Sequence, residues 1–103
     1  MRIGKYYAES IILAVISRYT KGTYAYEIRK LLEQELHFSE VVVYGVCKKF
    51  EENKLIRESG EKHIVNGRNR KYYYITEKGK IELENRRKQW KSDRQFLETW
   101  LNI

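Results

Sequence analysis

The sequence predicts a mainly α (α+β) domain of three helices, a two-stranded β-hairpin and a long final helix. Three observations carry this. Apolar residues recur at helical spacing in three separate blocks between Lys5 and Asn53. An alternating segment at 55–59 and an aromatic, β-branched segment at 70–75 then flank a polar stretch. From Glu77 to Asn102 the chain is strongly charged, with only narrow apolar strips.

In the first block, Ala8, Ile11, Ile12, Val15, Ile16 and Tyr19 form one broad stripe, so residues 5–19 make a helix with a buried face. Thr20-Lys21-Gly22 breaks the period, and the Thr23 hydroxyl is placed to cap the next helix. That helix covers about 24–36, with Tyr24, Ile28, Leu31 and Leu32 inward and Glu27, Arg29 and Lys30 exposed. The third begins at Ser39 or Glu40, with Ser39 as N-cap, and runs to about Asn53. Val43, Val46, Cys47 and Phe50 stand at i, i+3, i+4 and i+7 and face inward, which leaves Val42, Tyr44, Gly45, Lys48 and Lys49 opposite. Three successive valines are poor helix formers because they lose χ1 freedom, so a strand at 41–44 is the local rival. The helical period over 43–50 decides against it.

Asn53-Lys54 ends this helix. Ile56 then points inward from the strand at 55–59, residues 60–69 form the hairpin tip, and 70–75 returns with Tyr73 and Ile75 inward and Tyr72 and Tyr74 outward. Thr76 caps the final helix, and Glu77 enters at its positive end. At 1.5 Å per residue that helix would be about 35 to 40 Å long. It is too polar to be a core element of its own chain: Leu83, Trp90, Leu97 and Leu101 form a thin seam, and Phe96 and Trp100 a second strip. Such strips fit pairing with a second subunit. The expected organisation is therefore residues 1–76 as the hairpin-bearing unit and 77–103 as a dimerisation helix, together one compact body.

Composition narrows the function. A chain of 103 residues, 42% hydrophobic and 34% charged, suits a single globular domain. Its net charge of +7 favours an anionic partner. The excess is concentrated, because residues 39–81 hold ten Lys and Arg against six acids, while 1–38 hold six against four and 82–103 five against four. Cys47 is the sole cysteine, which excludes an intrachain disulfide and fits a reducing compartment. The apolar run at 11–16 is far short of the roughly 20 residues a membrane span needs. Glu9 and Arg18 bracket it and no cleavage site follows, so a cytoplasmic protein with no membrane partner is expected. There is no Gly-rich phosphate loop, nucleophile elbow or suggestive carboxylate pair, so neither catalysis nor a cofactor is expected. His37 and His63 lack ligand-spaced neighbours and read as surface or loop residues, without a metal site.

Three helices, two strands and a helix, with a basic hairpin, is the order of a winged helix-turn-helix. In that geometry the third helix would enter the major groove of double-stranded DNA, with Tyr44, Lys48 and Lys49 reaching base edges and Ser39, Glu40 and Val42 beside them. Arg68, Arg70 and Lys71 on the wing would hold phosphates or the minor groove. Tyr24 and Tyr26 would add backbone contacts, although Tyr24 suits the core equally. Arg86-Arg87-Lys88 is either a further DNA contact or a solvated helix face. Two other readings stand beside this one: a winged-helix module that binds protein through its wing and last helix, and a replication or architectural DNA binder without an effector.

Tyr26-Glu27-Ile28, the Val43-Tyr44 pair, Phe50-Glu51 leading to Leu55-Ile56, and Gly67-Arg68-Asn69-Arg70-Lys71-Tyr72-Tyr73 with Ile75-Thr76-Glu77-Lys78-Gly79 resemble the PadR family of transcriptional regulators. The resemblance covers nearly the whole chain. It implies a homodimeric winged-helix repressor whose C-terminal helix makes the dimer, here through Leu83, Trp90, Leu97, Trp100 and Leu101. On DNA such a dimer would take a pseudo-palindromic operator with half-sites about one helical turn apart. The single C-terminal helix is similar to a compact branch, some members of which bind flat aromatic compounds at the dimer interface. Trp90 matches a tryptophan lining that pocket. Two Trp90 side chains would then sandwich a planar aromatic effector, or else Trp90 only packs in the seam. The chain departs from the family where Val42 replaces a hydroxyl-bearing threonine, Ala25 a glycine, and Lys54 a glycine suited to a left-handed helix end.

Overall fold

Helical periodicity becomes helix at every predicted place, and the differences lie at the ends. In the computed structural model, which describes residues 2–102, α1 spans Lys5–Arg18 and buries Ala8, Ile12, Leu13, Val15 and Ile16. The second helix, α2, is Ala25–Leu32 and ends four residues earlier than predicted. Glu35 and Leu36 still donate backbone bonds to the Leu32 carbonyl as the chain turns to bury Leu36. In so short a helix only Ala25 and Ile28 are fully buried, and Leu31, predicted inward, is 54% exposed. Thr23 does not cap this helix. It is fully buried, its N–H and C=O pair with Tyr73, and its hydroxyl donates to Glu27 Oε1 at 2.6 Å. Tyr24 takes the N-cap position without a side-chain bond.

The third helix, α3, is Glu40–Glu52, and the Ser39 hydroxyl accepts from the Val42 N–H at 3.1 Å as predicted. Val43, Cys47 and Phe50 are wholly inside, so the helical period prevails over the local strand preference of three valines. Burial pushes the Cys47 thiol up to about 12, which makes it a small apolar packing group. Lys54 closes the helix at φ 61°, a left-handed conformation that glycine would adopt at lower cost.

β1, Ile56–Glu58, pairs antiparallel with β4, Tyr73–Ile75, in the register Ile56↔Ile75. The stretch predicted as a hairpin tip is itself a hairpin. There β2, His63–Val65, pairs with β3, Arg68–Arg70, closed by Asn66 and Gly67 at φ 51° and 76°. Positive φ at both central residues is the tight primed turn for which Asn-Gly is the strongest short signal. The wing is therefore one antiparallel arm in two successive two-stranded ladders.

α4 is Glu77–Leu101, and Thr76 welds its start to the wing. The Thr76 hydroxyl accepts from the Gly79 N–H at 3.0 Å and lies 2.7 Å and 3.0 Å from the Lys54 and Leu55 carbonyls. Gly79 is required there, since a Cβ would lie 2.0 Å from the Leu55 carbonyl oxygen. One turn on, Leu83 corrects the prediction that the whole helix is foreign to the core. It is 4% exposed and completes the cluster of Ile12, Ile16, Val43, Phe50 and Tyr73, so it packs chiefly in the chain's own core. Arg86, held by Glu82 one turn back on α4, then ties α4 to α1 by donating to Ser10 Oγ and the Tyr6 carbonyl, a brace between the two helices. No described helix is long and apolar enough to cross a membrane.

Candidate nucleic-acid interface

With Val43, Cys47 and Phe50 fixed inward, helical geometry puts Val41, Gly45, Lys48 and Glu52 on the outward line of α3, with Tyr44 exposed at its edge on the side of the wing. Val41, which the sequence reading did not single out, is the most exposed large apolar residue among those described, at 80%. The inward Val43 already implied it, because a residue two positions back lies on the opposite face. Val42 and Lys49, seven apart, lie instead on a flank. Lys49 Nζ is engaged there with the buried carboxylate of Glu9 on α1 at 3.1 Å, so it does not belong to the outward group. Of the predicted helix residues, Tyr44 and Lys48 face outward, Ser39 is the exposed cap, and Glu40 is turned to the wing.

On the wing, Arg68 stands exposed beside the turn, with no ion-pair partner among the described residues. Arg70 is different. Its guanidinium donates to Glu40 Oε1 at 2.6 Å, lies 5.6 Å and 5.5 Å from the ring centres of Tyr24 and Tyr26, and is only 15% exposed. It fastens the wing to α2 and α3 and does not project from the tip. Lys71 Nζ reaches the Tyr44 ring at 5.7 Å and Glu58 at 3.6 Å. The Tyr44 hydroxyl beside it holds the Lys71 ammonium above its usual range and keeps it cationic.

The rings of Tyr24 and Tyr26 belong to a stack that sequence reasoning missed. His63 lies flat on Tyr72 at 3.9 Å, Tyr72 on Tyr24 at 5.1 Å, and Tyr24 beside Tyr26 at 6.4 Å. The predicted surface histidine and outward tyrosine thus carry the wing onto α2. Tyr74 packs likewise, against Gly22 and under Arg57.

A second surface lies between α1 and α4, a groove of about 730 Å³ lined by Ile3, Tyr7, Ile11, Trp90, Leu97 and Leu101 among others. Trp90 is half exposed beneath the Arg94 guanidinium, and the Tyr7 hydroxyl donates to the Asp93 carboxylate. That bond pushes the Tyr7 phenol up to about 12 and lowers Asp93. Leu97 and Leu101 of the groove, and Phe96 and Trp100 beside it, are each more than half exposed. No group of His, Cys, Asp and Glu among the described residues is placed to hold a metal ion.

Residues 12–85 match the model of the PadR-like transcriptional regulator family. In three dimensions the chain is similar to a PadR family transcription regulator from Clostridium difficile, 28% identical over 92% of this chain and 98% of that one, with a TM-score of 0.77. It is also similar to a PadR-like transcriptional regulator from Bacillus cereus, 29% identical over 93% and 92%, with a TM-score of 0.76. A Streptococcus mutans protein shares the fold at a TM-score of 0.83, with 24% identity over 99% and 92%. Among curated proteins none is matched.

Proposed function

Because the chain belongs to the PadR-like family of transcriptional regulators, whose members bind DNA and are not enzymes, we propose that it acts as a homodimeric repressor on a pseudo-palindromic operator. DNA-binding transcription regulation is its role. The observation that supports the geometry of this reading is the contact of Lys71 with Tyr44, which joins the basic wing to the edge of the outward line of α3. Tyr44 and Lys48 meet base edges in the major groove, while Arg68 and Lys71 hold the backbone. Tyr24 and Tyr26 serve as the seat of the wing.

Dimerisation runs through α4. Its outer half exposes Trp90, Leu97, Trp100 and Leu101, whose burial against a second copy would extend the α1–α4 groove into a shared cavity. A planar aromatic effector stacked on Trp90 at that interface would shift the pair and release the operator. The reading places the protein in the cytoplasm with DNA.

Gel shifts at two salt concentrations, with sedimentation of the free protein, test it. A dimer whose duplex affinity falls steeply with salt is expected. A monomer, or a chain retaining no duplex at either salt as a protein-only module would, contradicts it. For the effector, Trp90 fluorescence in a Trp100→Phe variant should quench saturably with planar aromatic cations or phenols. An unchanged signal across a broad panel removes the effector from the reading.

A further inference from the structure

The outward line of α3, read above as the face that enters the major groove, has an unusual chemistry for that task. It offers one ammonium, on Lys48, one carboxylate at its far end, on Glu52, and the Tyr44 phenol at its edge, but no Asn, Gln or Arg, the side chains that pair with base edges through two bonds at once. Its most prominent group is the isopropyl of Val41, 80% exposed one turn ahead of Gly45. Glycine is among the poorest helix formers. No described residue calls for it at position 45, since its φ is not left-handed and a Cβ there would meet no described atom within 4 Å. At this position the helix presents bare backbone to whatever approaches it. Val41 and Gly45, at i and i+4, make an apolar step beside a patch of uncovered helix.

An exposed isopropyl in the major groove has one natural complement there, the C5-methyl group of thymine. We propose that α3 reads thymine through that methyl group, with Val41 making the contact and Gly45 letting the helix approach the groove floor. Sequence preference is then carried more by methyl packing than by hydrogen bonding, and each half-site holds thymine opposite Val41. This rests on the proposed docking of α3.

The test uses duplexes selected by the full chain from a random library, then resynthesised with deoxyuridine replacing each thymidine in turn, which removes only the methyl group. At one or two positions per half-site the wild type should lose about fourfold in affinity, the worth of one buried methyl. Val41→Ala should bind more weakly and be indifferent to the same replacement. Gly45→Ala should raise the thermal midpoint and yet weaken operator binding, two effects of opposite sign that a purely structural role would not produce. Equal affinity for thymidine and deoxyuridine duplexes at every position overturns the proposal. So does a Val41→Ala protein that keeps the full penalty, or a Gly45→Ala protein that binds undiminished. A chain that retains no duplex even at low salt refutes the docking of α3 and this proposal with it. That result is distinct from tight binding to both kinds of duplex.

Discussion

Arg70 on β3 donates to Glu40 in the first turn of α3 across 2.6 Å, and the Arg70 Nε is buried with no hydrogen-bond partner among the described residues. A basic wing residue is thus used inside the protein, as a strut between wing and helix. Arg70→Ala should cost about 1 to 2 kcal/mol of stability, kept low because Glu40 remains partly in water. Its salt dependence of DNA binding should stay that of the wild type. Arg68→Ala should do the reverse, leaving stability within about 0.5 kcal/mol and reducing the slope of log K against log salt by about 0.9 per lost phosphate contact. Chemical denaturation and salt titrations of both variants measure this, and equal slope losses would mean that Arg70 also reaches phosphate.

Gly79→Ala pits helix propensity against a close approach. Alanine is the better helix former by about 1 kcal/mol, but its Cβ would lie 2.0 Å from the Leu55 carbonyl oxygen. Displacing α4 from the wing should lose a net 2 to 4 kcal/mol or so, seen as a lower urea midpoint. A stabilised variant would show that the start of α4 is free to move.

Two apolar residues of α4 should respond in different ways. Leu83→Ala opens a cavity in the chain's own core and should cost about 2 to 5 kcal/mol of folding stability. Trp100→Ala, at a residue 75% exposed, should leave secondary structure intact and move the sedimenting species from dimer towards monomer. An unchanged dimer would place the interface elsewhere.

The bond between Tyr7 and Asp93 gives the α1–α4 contact a defined pH range. Asp93 is held below its usual 3.8, so its contribution is present above that pH and disappears as acid protonates the folded form. Tyr7 is raised from 10 to about 12, so its contribution is complete below 10 and is lost as pH rises towards 12. The thermal midpoint difference between wild type and Tyr7→Phe should therefore be flat through neutrality and shrink at both extremes. A difference that varies across pH 6 to 8, well inside this range of about 4 to 10, would assign the bond no such role.

Much of this architecture is written in local patterns. The caps Ser39 and Thr76, the inward set Val43, Cys47 and Phe50, and the inward Tyr73 all follow from spacing and hydroxyl chemistry, because backbone geometry alone decides them. Asn66-Gly67 carried its turn equally clearly, yet a 10-residue tip was expected since strands of three residues leave little alternation to read. What could not be read is what long side chains do across the fold. Arg70, Lys49 and Arg86 look alike in sequence as free positive charge. Glu40 and Glu9, and for Arg86 Ser10 and the Tyr6 carbonyl, all distant in sequence, decide that they are braces. Leu83 misled for a related reason, for a polar helix can still seat its first turns in a core when a glycine brings it close enough.

With the Leu55 carbonyl where a Gly79 side chain would be, the start of α4 has no room to pivot on the base of the wing. The proposed DNA-facing surface and the first half of α4 would then turn as one piece, like the jaw and handle of a pair of calipers. In the proposed dimer the opening of the jaws is set by the angle at which the two handles cross. Over a helix about 37 Å long, a tilt of roughly 10° swings its end by about 6 Å, against a half-site spacing of about 34 Å. The proposed planar effector, wedged beside Trp90, would therefore close or open the gauge without touching any residue of the proposed DNA-facing surface.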